Sequence, residues 1–446
     1  MEAKKILILG AGRSSSELIR YLLNLAETEN WQIRVGDVDT TFVESKLNGH
    51  PRGEAFQLNA ADAAARRLEI QNCHLVVSML PATMHVAIAE DCIALKKSVI
   101  TPSYVADEMW QLDEAAKNAG VLLLNEMGVD PGIDHMSAMK IIDHIKAMGG
   151  VLDSFESFTG GLIAPESDTN PWGYKITWNP RNVVLAGYGG SARYQEGGKM
   201  KLIPYQRLFE RVTSVSVDNY GSFDGYANRD SLKYKAIYGL NDIPTLFRGT
   251  LRKQGFCAAW NALVQLGMTD DSFELEFPEA YTWANFTASF MEEKQAHSLE
   301  LGLTEYLKLS KETVEKLKWL GLFSDDEIGV RKGSPAVVLQ KRIEKMWALA
   351  PNDKDMLVMW HRFVYTIDGK KQEILSSMVS IGEDPIYTAM ARTVGLPIAI
   401  AAKKIMKGEW NLTGIQLPII PEIYNPVLDE LATHGIVFAE QTKSIE

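Results

Sequence analysis

Gly10-Ala11-Gly12-Arg13-Ser14-Ser15 stands between an apolar run, Lys5–Gly10, and a segment with Leu18, Ile19, Leu22, Leu23 and Leu25 at helical spacing. A strand, a glycine-rich turn and a helix in that order can hold the pyrophosphate of a dinucleotide. Gly10 permits the tight turn. Gly12 has no Cβ, so the backbone can come close to the anion, and the free N–H groups at the helix start favour it. Ser15 occupies the place of the usual third glycine, which degrades the fingerprint. The context restores its weight, because the next strand ends on an acid, Asp37. A carboxylate there can accept hydrogen bonds from both ribose hydroxyls of NAD and repels the 2′-phosphate of NADP. Arg34 softens that repulsion only if its side chain turns the same way, and Asp39 is the alternative ribose contact. The expected cofactor contacts here are Gly10, Ala11, Gly12, Arg13, Ser14, Asp37 and Val38, joined by Leu80 at the end of a later strand. NAD is the expected cofactor and NADP the alternative.

The elements that must carry this turn alternate. Gln32–Gly36, Ala55–Leu58, His74–Leu80, Ser98–Thr101 and Val121–Asn125 read as strands. Ala60–Leu68, His85–Ala94 and Asp107–Ala119 read as helices between them. The alternation implies an α/β fold with a Rossmann-type, doubly wound parallel sheet. After Gly128 the texture changes. A helix is expected over Asp134–Met148, then short strands such as Leu152–Thr159 and Val212–Val217, then a helix-rich stretch at 258–345 with amphipathic segments Leu299–Leu309 and Glu312–Leu322. Met356–Ile367 and Lys371–Ile381 read as a hairpin closed by Asp368-Gly369, and Thr388–Met406 as a long core helix. The expected layout is a dinucleotide-binding domain at 1–131, an α+β substrate-binding and dimerisation domain at 132–390 with a helical insertion at about 258–345, and C-terminal helices at 391–446 returning to the first domain.

Length and charge set limits. A chain of 446 residues exceeds one ordinary core. A net charge of −11 gives no electrostatic footprint for nucleic acid. Cys73, Cys92 and Cys257 have no metal-ligand or disulfide spacing, so no metal is expected and a reducing cytoplasm fits. The N-terminal MEAKKILILG enters a strand directly, without a signal region, and no apolar run has membrane length.

Several separated motifs are more specific than the glycine turn. They are Thr101-Pro102-Ser103-Tyr104; Asn125 to His135 (NEMGVDPGIDH); Gly160 to Glu166 (GGLIAPE); Asn170-Pro171 through Tyr174-Lys175 to Trp178; Asn228-Arg229-Asp230-Ser231; and Arg248-Gly249-Thr250-Leu251-Arg252. In order and spacing, residues 5 to 270 resemble the glutamate-forming saccharopine dehydrogenase family, also called saccharopine reductases. The ending with PEIYNPVLDEL is also similar, and residues 270 to 410 match loosely. The resemblance implies oxidation of saccharopine at the carbon bearing its secondary amine, then water addition and collapse to glutamate and 2-aminoadipate 6-semialdehyde, or the reverse. It also implies a homodimer. Such a reaction needs the cofactor and substrate to meet at a domain cleft, a group to take the ammonium proton, and clamps for three carboxylates.

The resemblance places Ser103, Tyr104 and Asp130 at the substrate end of the nucleotide domain, with Thr101, Pro102, Val129 and Pro131 beside the cofactor. Asp130 and Tyr104 become the candidate proton-handling pair. Arg229 and Arg252 are the candidate carboxylate clamps, since guanidinium is always charged and forks onto carboxylates. Thr250 and Leu251 complete that substrate segment, and Arg248 holds either Asp230 or a loop. Thr159 is a departure: many family members carry cysteine there, and a hydroxyl can hydrogen-bond the reacting nitrogen or water but cannot supply a thiol. His135, at a helix start, reads as structural, and Glu166 and Asn170 as loop-shaping. Trp178 and Asn179 are candidates to approach the nicotinamide. Two other readings stay open: a related C–N oxidoreductase such as carboxynorspermidine dehydrogenase, and a nucleotide-binding regulator without turnover. Direction, lysine synthesis or breakdown, is not legible.

Overall fold

The computed structural model describes residues 2–292 and 298–445, so residues 293–297 of the helix-rich stretch lie outside it. The chain divides into two compact units, Met1–Gly150 with Met378–Phe438, and Val151–Ser377 with Ala439–Glu446. The sequence reading began the second body at 132. The helix Ile133–Ala147 instead belongs to the first unit, and the last strand, Ala439–Ser444, to the second.

The first unit is built on a seven-stranded sheet. Its order is Gly414–Gln416, Leu122–Leu124, Ser98–Ile100, Leu75–Ser78, Lys4–Leu9, Trp31–Asp37 and Gly53–Gln57. Every pairing is parallel. The central strands are apolar along their length because helices cover both faces: Ile6, Leu7, Ile8 and Leu9 are wholly buried, as are Leu75, Val76 and Val77. The sheet order reverses between Lys4–Leu9 and Leu75–Ser78, which is where open α/β sheets bind ligands at the carboxyl ends of their strands. The helix Ala389–Met406 packs on Ser16–Ala26, the helix that follows the glycine turn. One helix, Thr40–Leu47, was not foreseen. Asp39 caps its start by accepting from Thr41 N–H, and Asn48, left-handed at φ 46°, ends it. That capping gives Asp39 its role.

The second unit holds a mixed nine-stranded sheet. Its main path runs Val212–Val217, Gly221–Ala227, Thr245–Lys253, Val151–Ile163, Asp355–Ile367, Lys370–Ile381 and Ala439–Ser444. Thr245–Lys253 and Val151–Ile163 are parallel, and Asp355–Ile367 runs antiparallel to Val151–Ile163. The Asp368-Gly369 turn takes left-handed φ at both residues, 50° and 71°, as the hairpin requires. A helical region packs around an aromatic cluster of Trp172, Tyr174, Phe256, Trp260 and Trp347. Among the described residues no helix is long and apolar enough to cross a membrane.

Candidate active site

In the first unit the glycine turn has the conformation its sequence implies. Gly10 takes φ +93°, and a Cβ there would meet Leu80 and the Met79 backbone at 3.1–3.2 Å. A Cβ on Gly12 would meet nothing within 4 Å, so this face of the turn is open to a ligand. Arg13 and Gly12 are exposed and Ser14 half-buried, with Ala11 beneath. Asp37 ends its strand half-buried. Its Oδ2 accepts the Ala11 N–H at 2.6 Å and its Oδ1 the Asp39 N–H at 3.2 Å, so the carboxylate is fixed against the turn. Val38 beside it is 64% exposed, an apolar surface of the kind an adenine ring can cover. Arg34 turns away and is held by Glu54 and Glu69. This set of groups fits a dinucleotide: an open glycine turn for the diphosphate and a fixed acid for the ribose.

At the carboxyl ends of Leu75–Ser78 and Ser98–Ile100 lies a histidine that sequence reasoning passed over. His85, 5% exposed, begins the helix His85–Ala94. Its Nδ1 lies 3.0 Å from Ser78 Oγ, and its Nε2 lies 2.8 Å from Ser103 Oγ and 2.9 Å from Thr101 Oγ1. Burial pushes the imidazole down to about 4, so it is neutral at ordinary pH. A neutral ring has one donor and one acceptor, and it orders three hydroxyls, of which Ser103 and Thr101 are expected site residues. Its sequence signal is position: a polar residue in the first turn of the helix after a central nucleotide strand.

One residue beyond Ser103, the Tyr104 hydroxyl donates to Asp130 Oδ1 at 2.7 Å, so the structure joins the two candidate proton-handling groups. The loop carrying Asp130 is braced from behind. Glu126 accepts the Val105 N–H at 2.9 Å and lies 2.7 Å from His135 Nε2, with both acid and imidazole buried. Gly132 allows the backbone to close here, since a Cβ would sit 2.0 Å from Gly128 O. Val129 and Pro131 are buried in this loop, and Pro102 is half-buried.

In the second unit, the clamp residues lie on or beside Thr245–Lys253. Thr250 and Arg252 are two residues apart and share a face of the sheet. Thr159 is paired in register with Thr250. Arg252 is 4% exposed, donates through Nη1 to Leu251 O at 2.9 Å, and stacks over Tyr174 at 5.1 Å and Phe256 at 5.6 Å. Its Nε and the Thr159 Oγ1 are buried with no hydrogen-bond partner among the described residues. Burial raises the pKa of Tyr226, and the neighbouring Arg252 charge and a hydrogen bond with Thr250 oppose that rise. Arg229 differs from Arg252. It is exposed, in a left-handed conformation at φ 44°, and carries a guanidinium free of ion pairs among the described residues.

Other residues take structural places. Asp230 pairs with Arg193, and Arg248 stacks over Tyr234 at 4.2 Å. Asn179 caps the helix Pro180–Val184 by accepting the Arg181 N–H, and Trp178 donates to the Tyr174 hydroxyl. Asn170 ties the Trp172 N–H to the Tyr174 carbonyl, and Glu166 is exposed on the same loop. Among the described residues no cluster of ligating side chains could hold a metal.

The family model described as the saccharopine dehydrogenase NADP binding domain matches residues 6–124, and that of the saccharopine dehydrogenase C-terminal domain matches residues 128–436. The chain belongs to the saccharopine dehydrogenase family. One relative, saccharopine dehydrogenase [NADP(+), L-glutamate-forming] of Schizosaccharomyces pombe, is 35% identical over 98% of each chain. The Bos taurus mitochondrial alpha-aminoadipic semialdehyde synthase is 32% identical over 98% of this chain and 48% of its own length. A solved structure of apo saccharopine dehydrogenase (L-Glu forming) from Saccharomyces cerevisiae has a TM-score of 0.88 at 32% identity, covering 99% of this chain and all of that one. The structural match covers 99% of the chain, so the fold extends beyond the stretch from 5 to 270 whose motifs carry the resemblance.

Proposed function

We propose that this chain is a glutamate-forming saccharopine dehydrogenase, an oxidoreductase of lysine metabolism that acts on a CH–NH bond. The observation that carries the reading is the Tyr104–Asp130 hydrogen bond at the carboxyl end of the nucleotide sheet, in a chain similar to such enzymes along its whole length. When bound, the nicotinamide accepts a hydride from the carbon that becomes the aldehyde.

The chain's own residues supply the proton traffic and the grip. Asp130, oriented by the Tyr104 hydroxyl, accepts the proton of the substrate ammonium and so frees the nitrogen lone pair that drives hydride loss. After water adds to the resulting imine, the same pair returns a proton to the departing nitrogen, which leaves as the amine of glutamate. The Thr159 hydroxyl, buried without a partner, is a ready hydrogen-bond group for the reacting nitrogen or the water. Arg229 and Arg252 take substrate carboxylates, with Thr250 and Leu251 shaping that segment. Ser103, set by His85, holds a further polar group of substrate or cofactor.

We read the cofactor as NAD in preference to NADP. The Asp37 side chain is fixed in place by two backbone N–H groups, and Arg34, the cation that could offset it, is engaged by Glu54 and Glu69. The names of the full-length relatives carry NADP(+), and the preference proposed for this chain rests on Asp37 alone. The buried free cysteines suit a reducing compartment such as the cytoplasm. A homodimer is the oligomer we expect from the family, to be checked by sedimentation.

The test is direct. Saccharopine with NAD or NADP should yield reduced cofactor, read by its absorbance, with glutamate as a product. No reduction with either cofactor, where a known relative turns over, rules the reading out. Asp37→Ala should shift the NAD/NADP ratio towards NADP. An unaltered ratio means that the ribose is read elsewhere.

A further inference from the structure

The helix that sequence reading missed, Thr40–Leu47, carries a lysine that the reaction does not use. Lys46 is 9% exposed. Its ammonium donates to Ala11 O at 2.6 Å, to Gly12 O, and to Ser15 Oγ at 2.9 Å. All three acceptors belong to the glycine turn. No carboxylate pairs with it among the described residues, and Asp37 acts on it only at longer range. A buried ammonium without an ion pair is costly, so its position asks for a reason.

Peptide planarity supplies one. In a trans peptide the C=O and the following N–H point in opposite directions. Lys46 draws the carbonyls of Ala11 and Gly12 towards it, which turns the N–H groups of Gly12 and Arg13 away from the ammonium, and a Gly12 Cβ would meet nothing within 4 Å. Ser15 takes part as well. It is wholly buried, donates to Gly12 O at 2.9 Å and accepts from Lys46. The residue that breaks the glycine fingerprint is therefore the residue that receives the lysine.

We propose that Lys46 is a positioning residue of the dinucleotide site, which with Ser15 substitutes for the third glycine: it orients the turn's N–H groups towards the cofactor diphosphate and places a positive charge beneath them. The proposal rests on the dinucleotide reading of the first unit. Burial pushes Lys46 down to about 8, with Asp37 opposing that fall. Of the acids on neighbouring elements, Glu17 is turned to Arg20 and Glu54 to Arg34. Deprotonation as pH rises through this range removes the charge, so diphosphate affinity should fall.

The experiment is equilibrium binding of NADH and ADP-ribose to the full chain, without substrate, by calorimetry. Lys46→Met should weaken both by about tenfold or more, the usual scale for losing a charged hydrogen-bond group. Lys46→Arg should restore most of the affinity, and should remove the fall in ADP-ribose affinity that the unaltered chain shows between roughly pH 7 and 9. Thermal unfolding checks that each variant folds. If Lys46→Met does not, Lys46→Gln keeps a donor and removes the charge, and should bind as weakly as expected for Lys46→Met. A neutral variant that binds ADP-ribose as tightly as the unaltered chain overturns the proposal, as does equal loss in the methionine and arginine variants. If the unaltered chain binds neither ligand, the dinucleotide reading itself fails, which is a distinct result.

Discussion

The two units prepare their site residues in opposite ways. In the first, the polar groups around the expected ligand are already bonded to one another: Asp37 to two backbone N–H groups, Ser103 and Thr101 to His85, Tyr104 to Asp130, and Glu126 to His135. Among its described residues no buried side-chain polar atom lacks a partner. In the second, Thr159 Oγ1 and Arg252 Nε are buried and unbonded, and Arg229 is exposed in a strained conformation. A cofactor site that serves every turnover can be rigid and self-satisfied. A substrate site gains specificity by leaving polar atoms whose bonds only the right ligand completes. Substitutions in the first unit should therefore disturb stability and chemistry together, and those in the second should spare or even raise stability while harming turnover.

The largest effect should come from Asp130→Asn. The amide still accepts from Tyr104, but a neutral acceptor holds the hydroxyl more weakly than a carboxylate, so stability should fall a little while the proposed proton acceptor is lost. We expect kcat to fall by about a thousandfold with KM little changed. A steady-state comparison that finds KM raised and kcat intact would make Asp130 a binding group only. Next is the acid limb of the stability curve. His85 is held neutral with its pKa lowered from 6.5 to about 4. Between those values the unfolded chain takes a proton that the native one refuses. The native state therefore loses stability as pH drops below about 6.5, by about 3 kcal/mol once pH 4 is reached. Urea unfolding across that range should show this slope, and His85→Phe should flatten it while lowering stability at neutral pH. A slope unchanged in the variant would assign it to other groups.

Arg229→Ala sharpens the contrast. It should raise the KM for saccharopine by about ten- to a hundredfold, the scale of a charged hydrogen bond, and leave the unfolding temperature where it was. A shifted unfolding temperature with an unchanged KM would mark Arg229 as structural. The smallest effect is the most telling. Thr159→Val keeps the shape and removes an unbonded hydroxyl, so it should stabilise the chain by about 1 kcal/mol and lower kcat/KM. A loss of stability instead would mean that the hydroxyl is bonded in the free protein, and the contrast between the units would fail at that point.

The sequence made the nucleotide unit legible because its strands are buried on both faces and so read as apolar runs such as Lys5–Gly10 and His74–Leu80, and because its turn is marked by glycine. Helix Thr40–Leu47 escaped notice because its apolar periodicity is weak. Its signals were its ends, Asp39 and Asn48-Gly49, and Lys46 went with it. His85 lay in a correctly bounded helix, but its three partners come from the ends of two strands, and such convergence has no signature along the chain. The same holds for Arg252: its type suggested a clamp, while its burial among Tyr174, Tyr226 and Phe256 needed the sheet. The reach of the last strand back to the second unit was also invisible, because Ala439–Ser444 is exposed and polar and has no apolar pattern.

The path of the chain has a consequence for its biosynthesis. The backbone passes from one unit to the other three times, near residues 150, 377 and 438. The helix Ala389–Met406, which supports the helix after the glycine turn, leaves the ribosome long after that turn has done so. At ordinary elongation speeds the nucleotide strands wait roughly 20 seconds or more for it. Throughout that interval the nascent chain displays an unfinished apolar face, and a holding chaperone would find its substrate there.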